Sequence, residues 1–285
     1  MQPDIIQPFL LEKNTIKGCY INADTAVKTL LNCHKDYDKG TQKQLQEAVL
    51  LALALSAGLK YEGTFMLQIR SAGPLETLVI ELSDTHQLRG YAVAHKPVPQ
   101  EGSLKDIFGT GQLLFSVAQA GQQPYQGVVP LTGNTLADTV LFYFNQSDQI
   151  KTDLVLKTKG PHCRCLYIQQ LPALSGMNLL DQQDIWETVS VLMHSVQKEE
   201  LFDEKLPAEK LLYRLFHLSD LKILPSSVPS CGCRCQIETM LTFLKKLPEE
   251  QRNSLFKEDK IFLASPTIGR STSTFFPISA GSISI

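Results

Sequence analysis

The feature that most constrains this fold is a change of hydrophobic period near Pro172. Before it, apolar residues recur at every second position: Phe65, Leu67 and Ile69, then Leu78, Ile80 and Leu82. Such alternation sends successive side chains to opposite faces and fits strands with one buried face. After it, Ile185, Val189, Leu192, Met193 and Val196 recur at the spacing of one helix face. A repeating βαβ unit would interleave the two periods. This chain instead sets a few inserted helices among antiparallel strands and turns wholly helical after Pro172, which predicts an α+β fold.

Within the first region the patterns predict further strands at Leu88–Ala94, Leu113–Ala118, Tyr125–Leu131, Asp153–Thr158 and Arg164–Gln170. Asp24 is placed to cap a short helix carrying Ala26, Val27, Leu30 and Leu31. Thr41 is placed to cap a longer one ending at Gly58, and its half from Ala48 to Leu55 is apolar all round, which predicts burial. A further helix starts near Thr135. Beyond Pro172, Asp181 opens the periodic helix. Pro207 suits the first turn of another, with Leu211, Leu212, Leu215 and Phe216 on one face. Pro225 to Ser230 has linker composition. A last helix carries Ile237, Met240, Leu241, Leu244 and Leu247, and the Ser- and Thr-rich end from Ser265 to Ile285 reads as poorly ordered. The expected division is therefore an α+β domain over 1–175, helices over 176–224 and a small C-terminal unit over 225–285.

The formal charge of -2 and pI near 6.3 carry no signal for nucleic acid. The stretch Met1 to Asn14 lacks the basic and apolar regions of a secretory signal. The longest apolar run, Ala48 to Leu59, is shorter than the roughly 20 residues a bilayer requires. A cytoplasmic protein is expected. With no G-x-x-x-x-G-K-[ST] loop, no nucleotide site is expected either.

Seven cysteines are present, five of them in two clusters: Cys163 with Cys165, and Cys231, Cys233 and Cys235. Clustered thiols in a reducing compartment point to metal binding or redox chemistry rather than a disulfide framework. Cys163 and Cys165 share one face of a predicted strand. They read as small hydrophobes on a buried face, with a redox pair as the sharper alternative. Cys19 and Cys33 are isolated and read as core. His162, next to Cys163, points to the opposite face, so the two cannot readily form a nucleophile and base. His86, His95 and His194 show no carboxylate constellation around them. Lys245-Lys246 and Lys198-Glu199-Glu200 read as solvated helix faces.

Several stretches resemble the thirty-three-kilodalton redox-regulated heat-shock chaperone family. Leu59-Lys60-Tyr61-Glu62-Gly63 leads through Leu67-Gln68-Ile69 to Ala72-Gly73-Pro74-Leu75, and Gln87-Leu88-Arg89-Gly90-Tyr91-Ala92 follows. Pro124 to Leu131, Gly133-Asn134-Thr135-Leu136-Ala137 and Leu212-Tyr213-Arg214-Leu215-Phe216-His217 match further blocks. Cys233-Arg234-Cys235 with Leu244-Lys245-Lys246-Leu247-Pro248 resembles the start of the family's zinc domain. The resemblance runs from about Asn14 to Gly269.

It implies an N-terminal α+β domain with hydrophobic surface, a helical linker covering it, and a C-terminal domain holding zinc through four cysteines. It also implies that oxidation releases the metal and unfolds that domain and the linker. The protein then dimerises and holds unfolded clients without ATP. On this reading Cys231, Cys233 and Cys235 are the redox cysteines and Cys233 with Cys235 the first zinc pair. The stripe Ile185, Val189, Leu192, Met193 and Val196 serves client binding or simple packing.

One departure stands out. The second thiol pair aligns with Ser265 and Ile268, so the zinc site keeps half its ligands. Cys231, Cys233 and Cys235 could recruit a fourth donor such as His217, pair as disulfides in a metal-free sensor, or remain from a decayed switch. The sequence leans toward a decayed or much-altered switch. Two functions of other classes stay open: a thiol oxidoreductase using Cys233 and Cys235, and a constitutive interaction module.

Overall fold

The computed structural model describes residues 2–59, 61–119, 125–148, 150–172, 178–232 and 248. Compact packing groups Met1–Cys231 into one unit and Gly232–Ile285 into another. The account below concerns the first.

Two sheets form an α+β body. The first comprises β1 (Ile5–Leu11), β2 (Ile16–Asn22), β8 (Thr152–Lys159), β9 (His162–Gln170) and the two-residue β10 (Lys222–Ile223), in the order β10-β1-β2-β9-β8. The second comprises β3 (Gly63–Ser71), β4 (Leu75–Ser83), β5 (Gln87–Ala94), β6 (Gly111–Gln119), β7 (Tyr125–Pro130) and the short β11 (Ser230–Cys231), in the order β11-β5-β4-β3-β6-β7. All pairings are antiparallel except β11, which lies parallel to β5. The expected strands are present. β1 and β2 were not legible, because Pro8 and Gly18 interrupt their patterns. Pro8 is tolerated because its nitrogen faces the β10 side, where its carbonyl alone is used, accepting from Leu224 N–H at 3.0 Å.

Helix α1 (Asp24–Asn32) packs near α2 (Lys39–Ala57), and α2 touches strands of both sheets. Every residue from Ala48 to Ser56 is buried, as an apolar-all-round helix requires. Two caps differ from expectation. Asp38, not Thr41, caps α2 by accepting the Thr41 N–H at 2.7 Å. For α1, Asp4 takes the N–H groups of Thr25 and Ala26 at 2.8 and 2.7 Å, while Asp24 is the first helical residue and turns elsewhere. A short α3 (Leu104–Phe108), set by a Ser103–Asp106 capping box, was not anticipated. Helix α4 (Leu136–Tyr143) starts near Thr135 as expected, with Thr135 as its cap, and ends in a π turn, Phe144–Asp148.

After β9 come α5 (Leu179–His194), α6 (Lys198–Leu201) and α7 (Ala208–Phe216). Asn178 caps α5, and Pro207 stands at the cap of α7. Buried side chains fall into two clusters. One surrounds α2 and includes Cys19, Cys163 and Cys165. The other lies on the far face of the first sheet, beneath α5 to α7.

Candidate functional site

Period-2 alternation divides the first sheet cleanly. Cys19 and Ile21 of β2 and Cys163, Cys165 and Tyr167 of β9 face the α2 side. Phe9, Leu11, Ile16, Tyr20, Leu166 and Ile168 face the other way and form an apolar surface of their own. Exposed to water, such a face would be a sticky patch. Here it is covered. Val189 and Met193 of α5 and Leu211, Leu212, Leu215 and Phe216 of α7 press onto it, all buried. The helices' other sides meet solvent, with Val191 69% and Tyr213 66% exposed. The expected stripe is placed here: Val189, Met193 and Val196 are buried, and Ile185 and Leu192 are partly buried against the same cluster. Each large aliphatic side chain removed from water gains roughly 1.5–3 kcal/mol, so lifting the cover is costly and uncovers apolar surface on both sides.

A polar cluster fixes the middle of this cover. Arg164 projects from β9 and is 2% exposed. Its Nη1 donates to Asp24 at 2.5 Å, to Asn22 at 2.7 Å and to the Cys163 carbonyl at 2.9 Å. Its Nε donates to the carbonyl of Leu201, the last residue of α6, at 3.0 Å, and its guanidinium lies 5.6 Å from the centre of the Phe202 ring. Asp24 also accepts from the Cys163 N–H at 2.8 Å and pairs with His162 Nδ1 at 2.7 Å. Burial alone would raise the Asp24 pKa. The hydrogen bonds from Arg164, His162 and Cys163 more than reverse that and hold the carboxyl below its usual range. A buried guanidinium so satisfied is tolerated, but removing one partner strands the other.

Polar contacts also tie α5 to β8. Asp153 accepts from Ser190 Oγ at 2.5 Å and pairs with His194 Nε2 at 3.0 Å. The expectation that His95 and His194 lack carboxylates is thereby corrected. His194 meets Asp153, His95 meets Glu76 and His162 meets Asp24. These pairings join residues far apart in sequence, so spacing could not reveal them. Nor did any local signal mark Arg164, which entered only as the first residue of a predicted strand.

The thiols separate in the same way. Burial pushes the Cys165 thiol up to about 12 and those of Cys19 and Cys163 well above their ordinary range. Such thiols stay protonated and behave as small hydrophobes, the simpler reading of Cys163 and Cys165. Cys231 is partly buried in β11, in register with Leu88, and packs against the α2 cluster. Cys233, Cys235, Ser265 and Ile268 lie outside the described residues. His217 caps α7, exposed, with its ring 5.5 Å from Tyr213. Among the described residues, no group of three or more His, Cys, Asp or Glu side chains is arranged to hold a metal. No described helix is long and apolar enough to cross a membrane.

Fold and site together define a class: a two-sheet α+β protein holding one apolar sheet face under a helical cover. The crystal structure of a 33 kDa chaperonin (heat shock protein 33 homolog) from Thermotoga maritima shares this fold, with a TM-score of 0.74 at 17% identity, covering 91% of this chain and 90% of that one. Two curated relatives are also named 33 kDa chaperonin. The one from Nitrosococcus oceani is 34% identical over 258 residues, covering 90% of this chain and 86% of the relative. The one from Escherichia coli is 29% identical over 262 residues, covering 90% and 87%. The chain belongs to the Hsp33 protein family, whose family model matches residues 4–264.

Proposed function

We propose that this chain is an ATP-independent holdase chaperone. On this reading its client surface is the outer face of the first sheet, together with the underside of α5 and α7. The observation that carries the proposal is the face itself. Phe9, Leu11, Ile16, Leu166 and Ile168 form a continuous apolar surface whose cover is made of separate short helices rather than a strand of the sheet. Helices of this length are marginal without tertiary contacts, so detachment and loss of helix go together. Heat or oxidative stress would release the cover, and Ile185, Val189, Leu192, Met193 and Val196 would then turn from packing residues into client contacts. Flexible Met193 suits either role. Family membership and the names of the curated relatives support the chaperone class. Residence in the cytoplasm and dimerisation on activation belong to the same proposal.

The redox switch is proposed to be altered. Zinc favours four soft or nitrogen donors, and the set here supplies Cys233 and Cys235 against Ser265 and Ile268, which does not fit. Cys231, the remaining nearby thiol, packs against the two-sheet body. The test is light scattering of a heat-unfolding protein mixed with the purified full chain without ATP. Suppression of aggregation at near-stoichiometric ratios is expected. Indifference to the client under both oxidised and reduced conditions would remove the holdase reading.

A further inference from the structure

The edge of the first sheet is stoppered by the chain that follows α7. Ile6 N–H donates to the Ser227 carbonyl at 2.8 Å, and Ser227 N–H returns a bond to the Ile6 carbonyl at 3.0 Å. Leu224 N–H donates to the Pro8 carbonyl at 3.0 Å, Leu10 stands in register with Lys222, and Glu12 N–H donates to the Ser219 carbonyl at 2.8 Å. The outward positions from Ile6 in β1 to Glu12 just beyond it are thus met by residues 219–227. The occupant is held by its backbone, which any polypeptide possesses. From the sheet side, Gln7, only 2% exposed, donates its Nε2 to the Leu224 carbonyl at 2.6 Å. Alternate occupant side chains reach the apolar face, as Ile223 does opposite Phe9.

The edge is also strained where the occupant clasps it. Glu12, Lys13 and Asn14 have φ values of 49°, 53° and 68°, and Asp220, whose carboxylate accepts the Lys13 N–H, has φ of 49°. In the second sheet, β5, which carries only the two-residue β11 on its outer side, is blocked differently. His34 Nε2 lies 3.0 Å from the Gly90 carbonyl, and the Tyr37 hydroxyl bonds both the N–H and the carbonyl of Ala92. Those side chains precede α2 and do not belong to the helical cover. The β1 stopper follows α7 directly, so a displaced α7 carries it away.

We propose that the β1 edge is a strand-addition site for an extended apolar segment of an unfolding client, occupied at rest by residues 219–227. This deepens the holdase reading and rests on it. Addition of an extended chain gives affinity through main-chain hydrogen bonds and only loose side-chain selection, which suits a protein that must accept many sequences. It also shields an open sheet edge that would otherwise invite aggregation.

Residue-resolved amide exchange on the full chain tests this, with reduced, unfolded α-lactalbumin as the probe and under conditions where the chain suppresses aggregation. The expected result is that Ile6 and Glu12 amides exchange together with those of α7 when no client is present. On adding α-lactalbumin they become protected again while α7 stays exchanging. Ile6 and Glu12 amides that keep exchanging with client bound would overturn strand addition and leave the holdase reading standing. Amides protected throughout activation would show that the edge is never vacated, which also overturns it. Protection that grows with protein concentration in the absence of client would make the occupant a second copy and overturn the client assignment. No hold on α-lactalbumin at all would take down both readings. A variant pair adds a second readout. Leu10→Pro removes one outward N–H, as Pro8 already does, and should weaken α-lactalbumin binding about fivefold relative to Leu10→Ala, the worth of one hydrogen bond. Equal binding by the two variants would count against the edge.

Discussion

Phe9 of β1 and Phe216 of α7 stack with ring centroids 5.5 Å apart and planes 28° from parallel. The contact joins the sheet face to the last turn of its cover. It exists because Phe9 stands directly across from Gly18, where an added Cβ would fall 2.2 Å from the Phe9 ring. The glycine leaves room for the ring to lie on β2 and offer its other face to Phe216.

Truncation at Phe216 should therefore loosen the cover and spare the sheet. Phe216→Ala removes a fully buried aromatic, a change that costs about 3–5 kcal/mol in a packed core. The expected outcome is faster amide exchange in α7 and stronger suppression of aggregation without any stress pretreatment. An unchanged basal activity in a variant with a demonstrably freed α7 would separate the cover from function.

The pair formed by Asp24 and Arg164 gives an acid signature. The folded Asp24 carboxyl is held below its ordinary range, so its contribution to stability is complete above the unfolded value near 3.9 and fades as pH falls through that range toward the folded value. Asp24→Asn should cost about 3–5 kcal/mol at neutral pH, since it leaves the buried guanidinium without its anion. Urea denaturation of both proteins between about pH 2 and 6 should show the gap closing at the acid end. A gap independent of pH would mean that Asp24 acts through packing and not through its charge.

Three buried thiols should be silent in the folded protein. Burial holds Cys19, Cys163 and Cys165 protonated, with Cys165 at about 12. Iodoacetamide near pH 8 should spare all three in the native chain and label them in guanidinium, read by peptide mass. Their folded pKa values are raised, so their contribution is present below the unfolded value near 8.5 and lost as pH climbs toward the folded one. Stability should decline in alkali, and Cys165→Val should lessen that decline. Rapid native labelling of Cys163 or Cys165 would reopen the redox reading of that pair.

Metal content is expected to be low. If the second thiol pair is replaced by Ser265 and Ile268, as proposed above, reduced protein should carry clearly less than one tightly held zinc per chain. Ser265→Cys combined with Ile268→Cys should raise zinc affinity and protect the chain beyond Pro229 from protease. Peroxide should correspondingly change the chaperone activity of the natural sequence less than that of the restored one. Stoichiometric zinc surviving a moderate chelator would contradict the proposed loss.

Local pattern alone determined a good part of this protein. Alternation at Phe65, Leu67 and Ile69 marked β3, the apolar run Ala48 to Leu55 marked a helix buried on all sides, and the stripe from Ile185 to Met193 marked the packing face of α5, with Val196 just past its end. These signals depend on residues within a turn or two of one another, which is the range over which period and capping act. Tertiary structure alone decided the rest. Pro8 and Gly18 hid β1 and β2 because their fitness depends on partners that only strand pairing supplies: Leu224 for the proline's carbonyl and Phe9, across the hairpin, for the glycine's empty side. Asp24 looked like a cap, but Asp4 supplied that role and left Asp24 to meet Arg164 and His162 about 140 residues away, as the separations of 140 and 138 record. The cover stripe was legible as apolar, but what it covers was not. Which face an amphipathic helix meets is set by the whole chain's packing, because burial is non-directional and any apolar face of the right shape will serve.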